Sequence, residues 1–125
     1  MISFLLNLPY TLGGFLLGLV SVPTKIASQK NPYAIVTNVK TLWWAMIFPW
    51  MRGVRAVTIG HVILLGKKAD GRDLEHELVH VKQYEAKPLI HPVLYYWELL
   101  KKGYRNNKYE VEAYRLSGNE YKDKP

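Results

Sequence analysis

Five residues constrain this chain more than any others: His76-Glu77-Leu78-Val79-His80 sets two histidines four apart, with a glutamate beside the first. On a helix, residues four apart share a face, so both imidazoles can reach one ion. The surrounding residues read as that helix. At 100° per residue, His76, His80 and Gln83 fall within roughly 60° of one another, with Leu74, Leu78 and Val81 on the opposite side. The apolar side is expected to meet the core and the polar side to face away from it. Glu77 lies about 100° round from His76, beside the ion rather than aimed at it, where a general base for a water would stand. Asp73 reads as the N-cap with Glu75 in the first turn, and Pro88 ends the helix near Ala86 or Lys87.

A hydrolytic zinc site takes three protein ligands and keeps one position for water. The chain has no cysteine, so the third ligand comes from Asp, Glu, His61 or His91. A helix read from about Lys108 to Ser117 carries Glu110 and Glu112 in its first turn; Asn106-Asn107 caps it and Gly118 closes it. The two glutamates lie about 200° apart, so only one of them can face the ion. Glu110 shares its face with Tyr114 and Ser117, while Glu112 is expected to point toward Arg105, Lys108 or water. His61 reads as a mid-strand histidine, satisfied or facing solvent, and His91, just before Pro92, as a capping or surface residue. Gln83, one turn past His80, is placed to hydrogen-bond a ligand.

The 125 residues suffice for one domain. Lys and Arg outnumber Asp and Glu by 17 to 10. The basic residues are scattered and no nucleic-acid motif accompanies them, so nucleic acid is not an expected partner; an anionic membrane surface accounts for the same charge. Residues 1–24 contain no charged side chain. Asn7, Pro9 and Gly13-Gly14 interrupt the run, leaving a regular apolar helix from about Pro9 to Val22, roughly 20 Å long. That helix either contacts a membrane or covers one side of a small domain, and Gly14 and Gly18 have the spacing of a close-packing helix face. Lys25, Lys30 and Lys40 follow it, so a spanning helix would leave the catalytic part in the cytoplasm; the other reading is a soluble cytoplasmic protein.

Trp43 to Trp50 reads as an interfacial segment or as a helix in the core. If both apolar segments contact the membrane, a chain beginning near Ser28 is expected to gain solubility and keep its metal. If residues 1–22 pack as core, it is expected to unfold or aggregate. Tyr33–Val39 reads as a strand, and Arg55–Leu65 as two short strands or one bent at Gly60. Pro92 opens a helix that stops at Gly103, with Val93, Leu94, Trp97 and Leu100 as its apolar residues. The organisation is then an apolar N-terminal helix (1–24), a catalytic domain (25–118) and a polar tail (119–125).

His76-Glu-Leu-Val-His-Val-Lys-Gln83, with Glu110-x-x-Ala113 thirty residues after His80, resembles the gluzincin metallopeptidases. Within them it most resembles the minimal-scaffold minigluzincins, which are similar to the catalytic core of the CAAX prenyl peptidase and HtpX-type membrane enzymes. The resemblance covers roughly Tyr33 to Gly118. It implies an α+β, zincin-like minimal scaffold: a small three-stranded sheet, an active-site helix and two further C-terminal helices, with the apolar N-terminal helix added. It also implies one Zn2+ per chain held by His76, His80 and Glu110, with Glu77 as the catalytic base. The substrate would be a peptide or protein aligned on an edge strand within Val57–Leu65. At Tyr114 the chain departs from the membrane enzymes, which carry an aspartate after that alanine, so the residue stabilising the transition state is unassigned. The alternative is a catalytically silent or self-inhibited zinc-binding interaction module at the membrane, with the tail after Gly118 in the cleft. Glu77 speaks for catalysis, since a purely structural zinc site fills its fourth position with protein and has no use for a base.

Overall fold

Val62-Ile-Leu-Leu65 is apolar at every position, and such a strand needs cover on both faces. The computed structural model, which describes residues 2–30, 33–47 and 54–117, supplies it. In chain order the elements are α1 (Ile2–Leu6), α2 (Leu8–Val20), β1 (Pro23–Gln29), β2 (Ala34–Val39), a 3-10 turn (Trp43–Ile47), β3 (Ala56–Ile59), β4 (Val62–Leu65), α3 (Gly71–Ala86), α4 (His91–Asn106) and α5 (Lys108–Ser117). The class is α+β as expected, but the sheet has four strands rather than three, in the order β1-β2-β4-β3. β4 pairs parallel with β2 and antiparallel with β3. The strand that the sequence concealed is β1, paired antiparallel with β2. Its residues are exposed almost throughout, so no apolar alternation marks it, and Pro23 is tolerated at its first position because the strand lies at the sheet edge.

β4 sorts the core into two layers. Val62 and Leu64 join Val39, Trp44, Ala45 and Val57 on one face, with Leu17 of α2 against them. Ile63 and Leu65 join Ala34, Ala56 and Val81 on the other, under Leu74 and Leu78 of α3. The apolar stripe of α3 thus meets the core as its periodicity predicts. β3 turns into β4 through Gly60-His61; Gly60 has φ +64°, and a Cβ there would sit 2.6 Å from the Thr11 amide nitrogen.

The N-terminus is not one long apolar helix. It breaks at Asn7 into α1 of five residues and α2 of thirteen. The Asn7 side chain is fully buried; its Nδ2 donates to Tyr84 O at 3.0 Å and its Oδ1 accepts from Leu89 N at 3.1 Å. A buried polar side chain with two hydrogen-bond partners holds the turn that a continuous helix would abolish. α2 then lies on the sheet through Thr11, Gly14 and Gly18, all buried. Its other side leaves Leu12, Leu16 and Leu19 more than half exposed. No helix among the described residues is long and apolar enough to cross a membrane. The tryptophan segment divides as well. Trp44 is buried with its Nε1 donating to Ser21 Oγ at 2.8 Å, whereas Trp43 and Ile47 face outward; residues 48–50 lie outside the described part, as does the tail from 118 onward. In α4, Gly103 (φ +79°) interrupts the helix where the sequence places its end. Its apolar Val93, Trp97 and Leu100 face outward, while His91, Glu98 and Leu99 are buried.

Candidate metal centre

α3 begins one turn earlier than the sequence suggests. The N-cap is Asp70, not Asp73: Asp70 Oδ1 accepts from the amides of Arg72 and Asp73, and Asp73 Oδ2 accepts from the Asp70 amide, a reciprocal capping box. Asp73 also meets Arg55 Nη2 at 3.2 Å, which fastens the start of α3 to the residue before β3. This fixes the rotation of the helix, and with it the direction of the histidines.

The polar face of α3 does not look into solvent. His76, Glu77, His80 and Gln83 are all buried, because α5 and the aromatic rings of Tyr95 and Tyr114 lie across them. His76 Nε2 and His80 Nε2 are 3.2 Å apart, and Glu110 Oε1 stands 3.0 Å from the first and 3.1 Å from the second. Of the two glutamates that helix geometry offers, it is Glu110 that closes the triangle.

The donor set fits a zinc-like cation. Two imidazole nitrogens and one carboxylate oxygen suit zinc, and zinc–nitrogen bonds of about 2.1 Å in a tetrahedron would set ligand atoms about 3.4 Å apart, a few tenths beyond the spacings here. Lone pairs converging at this distance in a buried place need a cation between them, whether proton or metal. His76, His80 and Glu110 therefore form a group that could hold a metal ion.

Neighbouring side chains set the direction of His80 and Glu110. His80 Nδ1 donates to Gln83 Oε1 at 2.8 Å. The Gln83 amide nitrogen has two acceptors of its own, Tyr109 O at 3.0 Å and Glu112 Oε1 at 2.7 Å, so its oxygen must face the histidine. That leaves His80 Nε2 toward the cluster. Gln83 has the role its position suggests. Glu112 does not: instead of pointing to Arg105, Lys108 or water, it ends a chain from His80 through Gln83. Tyr95 Oη donates to Glu110 Oε2, the oxygen turned away from the histidines. Tyr114 sets its ring edgewise on His76 with centroids 4.3 Å apart.

Burial works against a charge on His80, but the adjoining Glu110 carboxylate outweighs it and raises the imidazole to about 9. Burial also works against the charge on Glu110, and His80 and His76 nonetheless hold its carboxyl well below the usual range.

Glu77 stays out of the triangle. Thr58 Oγ1 donates to Glu77 Oε1 at 2.7 Å and lies 3.1 Å from the Glu77 carbonyl oxygen, so an edge strand grips the carboxylate next to the two histidines. Thr58, Tyr95 and Glu112 carry no sequence signal of this role; each is an ordinary strand or helix residue by pattern, and the fold alone brings it to the site.

The other two histidines stand elsewhere. His61 is not mid-strand but in the turn after β3, fully buried, with Nδ1 on Tyr33 O at 2.8 Å and the Phe4 ring beside it. His91 is neither a cap nor a surface residue. It is buried among the rings of Tyr84, Tyr95 and Tyr109, and that burial pushes its imidazole down to about 3.

No family model, curated protein or solved structure matches this chain.

Proposed function

We propose that the protein is a zinc-dependent metallopeptidase with His76, His80 and Glu110 as ligands and Glu77 as general base. One observation carries the reading. Three ligating atoms meet within 3.2 Å in a buried place, and a fourth group, Glu77, is held beside them without joining them. A site that only stabilised the fold would not keep a separately anchored carboxylate there. When bound, the zinc supplies Lewis acidity to a water and to the scissile carbonyl. Glu77 takes a proton from the attacking water and passes it to the leaving amine. Gln83 keeps His80 turned toward the cluster throughout.

The substrate in this reading is an extended peptide. β4 is paired on both sides, so the useful part of Val57–Leu65 narrows to β3, which has no strand on its outer side among the described residues. Gly66 N donates to Arg55 O and Ile59 faces Val62 across the turn, so the alternation aims the backbone groups of Ala56 and Thr58 at that free edge. A peptide added there would run past the strand residue that holds Glu77. The test is metal content together with peptide hydrolysis, wild type against Glu77→Ala. The reading requires one zinc in both and cleavage in the wild type only.

A membrane surface is the second partner in this proposal. Leu12, Leu16 and Leu19 on the outer side of α2, and Val93, Trp97 and Leu100 on α4, are exposed; Lys101 lies over the Trp97 ring. Apolar faces, that of α4 edged by lysine, suit an anionic bilayer. The charge argument for a cytoplasmic side needed a spanning helix, so attachment here is peripheral and the side is left open. Flotation with phosphatidylserine vesicles tests it, with Leu16→Glu and Trp97→Glu expected to lose binding.

A further inference from the structure

We infer that Tyr95 is a positioning residue that keeps Glu110 to a single metal-ligating oxygen and so preserves an open coordination position. The inference rests on the zinc reading above and asks what makes such a site reactive. A carboxylate can bind zinc through one oxygen or two. With two histidines already in place, a second oxygen would take the position that a water or a carbonyl needs. The two oxygens of Glu110 are not equivalent here. Oε1 is nearly equidistant from the two histidine nitrogens, at 3.0 and 3.1 Å. Oε2 is engaged by the Tyr95 hydroxyl. To bring Oε2 to the metal as well, the carboxylate would have to rotate and leave a buried hydroxyl without its acceptor, which costs more than an exposed hydrogen bond.

Tyr95 cannot follow such a rotation, because its backbone and ring are both held. Asn107, fully buried, donates from Nδ2 to Tyr95 O at 3.1 Å and accepts from Tyr109 N at 3.0 Å. One side chain thus caps α5, which carries Glu110, and fastens it to the residue that restrains Glu110. The phenol ring lies against Tyr109 with planes 27° apart, and edgewise to His80 and His91. Tyr95 touches a ligand and not the reacting atoms, so it acts through Glu110.

The test replaces zinc with cobalt(II), whose visible absorption is strong in four-coordinate sites and weak in five-coordinate ones. Wild type and Tyr95→Phe are compared by cobalt spectrum and by zinc competition. Expected for Tyr95→Phe are a several-fold loss of visible absorption as Oε2 joins the metal, and zinc affinity lower by about tenfold. Glu110→His supplies a ligand with no second oxygen. Adding Tyr95→Phe to it should leave the cobalt spectrum unchanged, whereas a general loosening of the fold would alter both backgrounds. A Tyr95→Phe protein with the wild-type spectrum and wild-type zinc affinity overturns the inference. A wild-type protein that takes up neither cobalt nor zinc overturns the metal reading itself, before Tyr95 is at issue.

Discussion

Thr58 Oγ1 donates to Glu77 Oε1 across 2.7 Å, joining an edge strand of the sheet to the carboxylate that follows His76 on α3. This bond makes the sheet edge and the chemistry one unit: the residue that holds the base belongs to the strand on which a peptide would lie. Thr58→Val keeps the shape and removes the donor. A hydrogen bond to a charged group contributes about 1.5–3 kcal/mol, so hydrolysis should fall by roughly ten- to hundredfold if the bond persists in the transition state. Zinc content should not change. Paired kinetic and metal measurements decide it, and a loss of zinc in Thr58→Val would mean that the strand holds the site together rather than orienting its base.

The two glutamates of α5 should separate by degree. Glu110→Ala removes a ligand and should abolish tight zinc binding. Glu112→Ala leaves the triangle intact but strips Gln83 Nε2 of its carboxylate partner, and should weaken zinc by about tenfold through a less firmly directed His80. Competition with a chelator of known affinity reads both. Equal losses in the two variants would contradict the distinct positions of these side chains.

What the sequence disclosed and what it withheld divide along physical lines. The α3 stripe of Leu74, Leu78 and Val81 and the shared face of His76 and His80 follow from helix geometry, which is local. β1 was hidden because Thr24, Lys25 and Ser28 are exposed, and a strand without a buried face has no period to read. Burial of the polar face of α3 was equally out of reach, since it depends on where α5 returns. So did the fate of His91, whose tyrosine cage comes from three helices. Asp70 is legible in the sequence: as N-cap it puts Asp73 at N3, the reciprocal pattern that Asp73 as cap does not give.

Removing metal should expose a pH dependence set by His80. Its imidazole is raised from 6.5 to about 9 in the folded chain. A raised value stabilises the fold fully below the unfolded value and is lost as pH climbs through the folded one. The metal-free protein should therefore lose stability between about pH 6.5 and 9, by about 3 kcal/mol at 1.36 kcal/mol per unit. Zinc uptake displaces that proton, so zinc affinity should keep rising with pH up to about 9. Urea unfolding of the chelated protein at the two ends of the window checks the first part. A flat profile, or one unchanged by Glu110→Gln, would remove the His80–Glu110 pair as its source.

The N-terminal helices give a sharper test than truncation alone, because neighbouring glycines of α2 face different surroundings. A Cβ on Gly14 would sit 2.8 Å from Val62 Cβ and 3.0 Å from Ile59 O, backbone and core atoms with no room to yield. A Cβ on Gly13 would meet nothing within 4 Å. If α2 is part of the core, Gly14→Ala should destabilise by about 1–3 kcal/mol through overpacking. Gly13→Ala should stabilise by up to about 1 kcal/mol, since alanine loses less backbone freedom in a helix. A helix serving only as a membrane element would gain from both substitutions. The same packing favours the second of the two outcomes for a chain beginning near Ser28: without α2, Val62 and Leu64 lose their cover, and the shortened protein should aggregate rather than become more soluble. Thermal unfolding of the two alanine variants, measured without lipid, distinguishes the cases. Stabilisation by Gly14→Ala would detach α2 from the sheet.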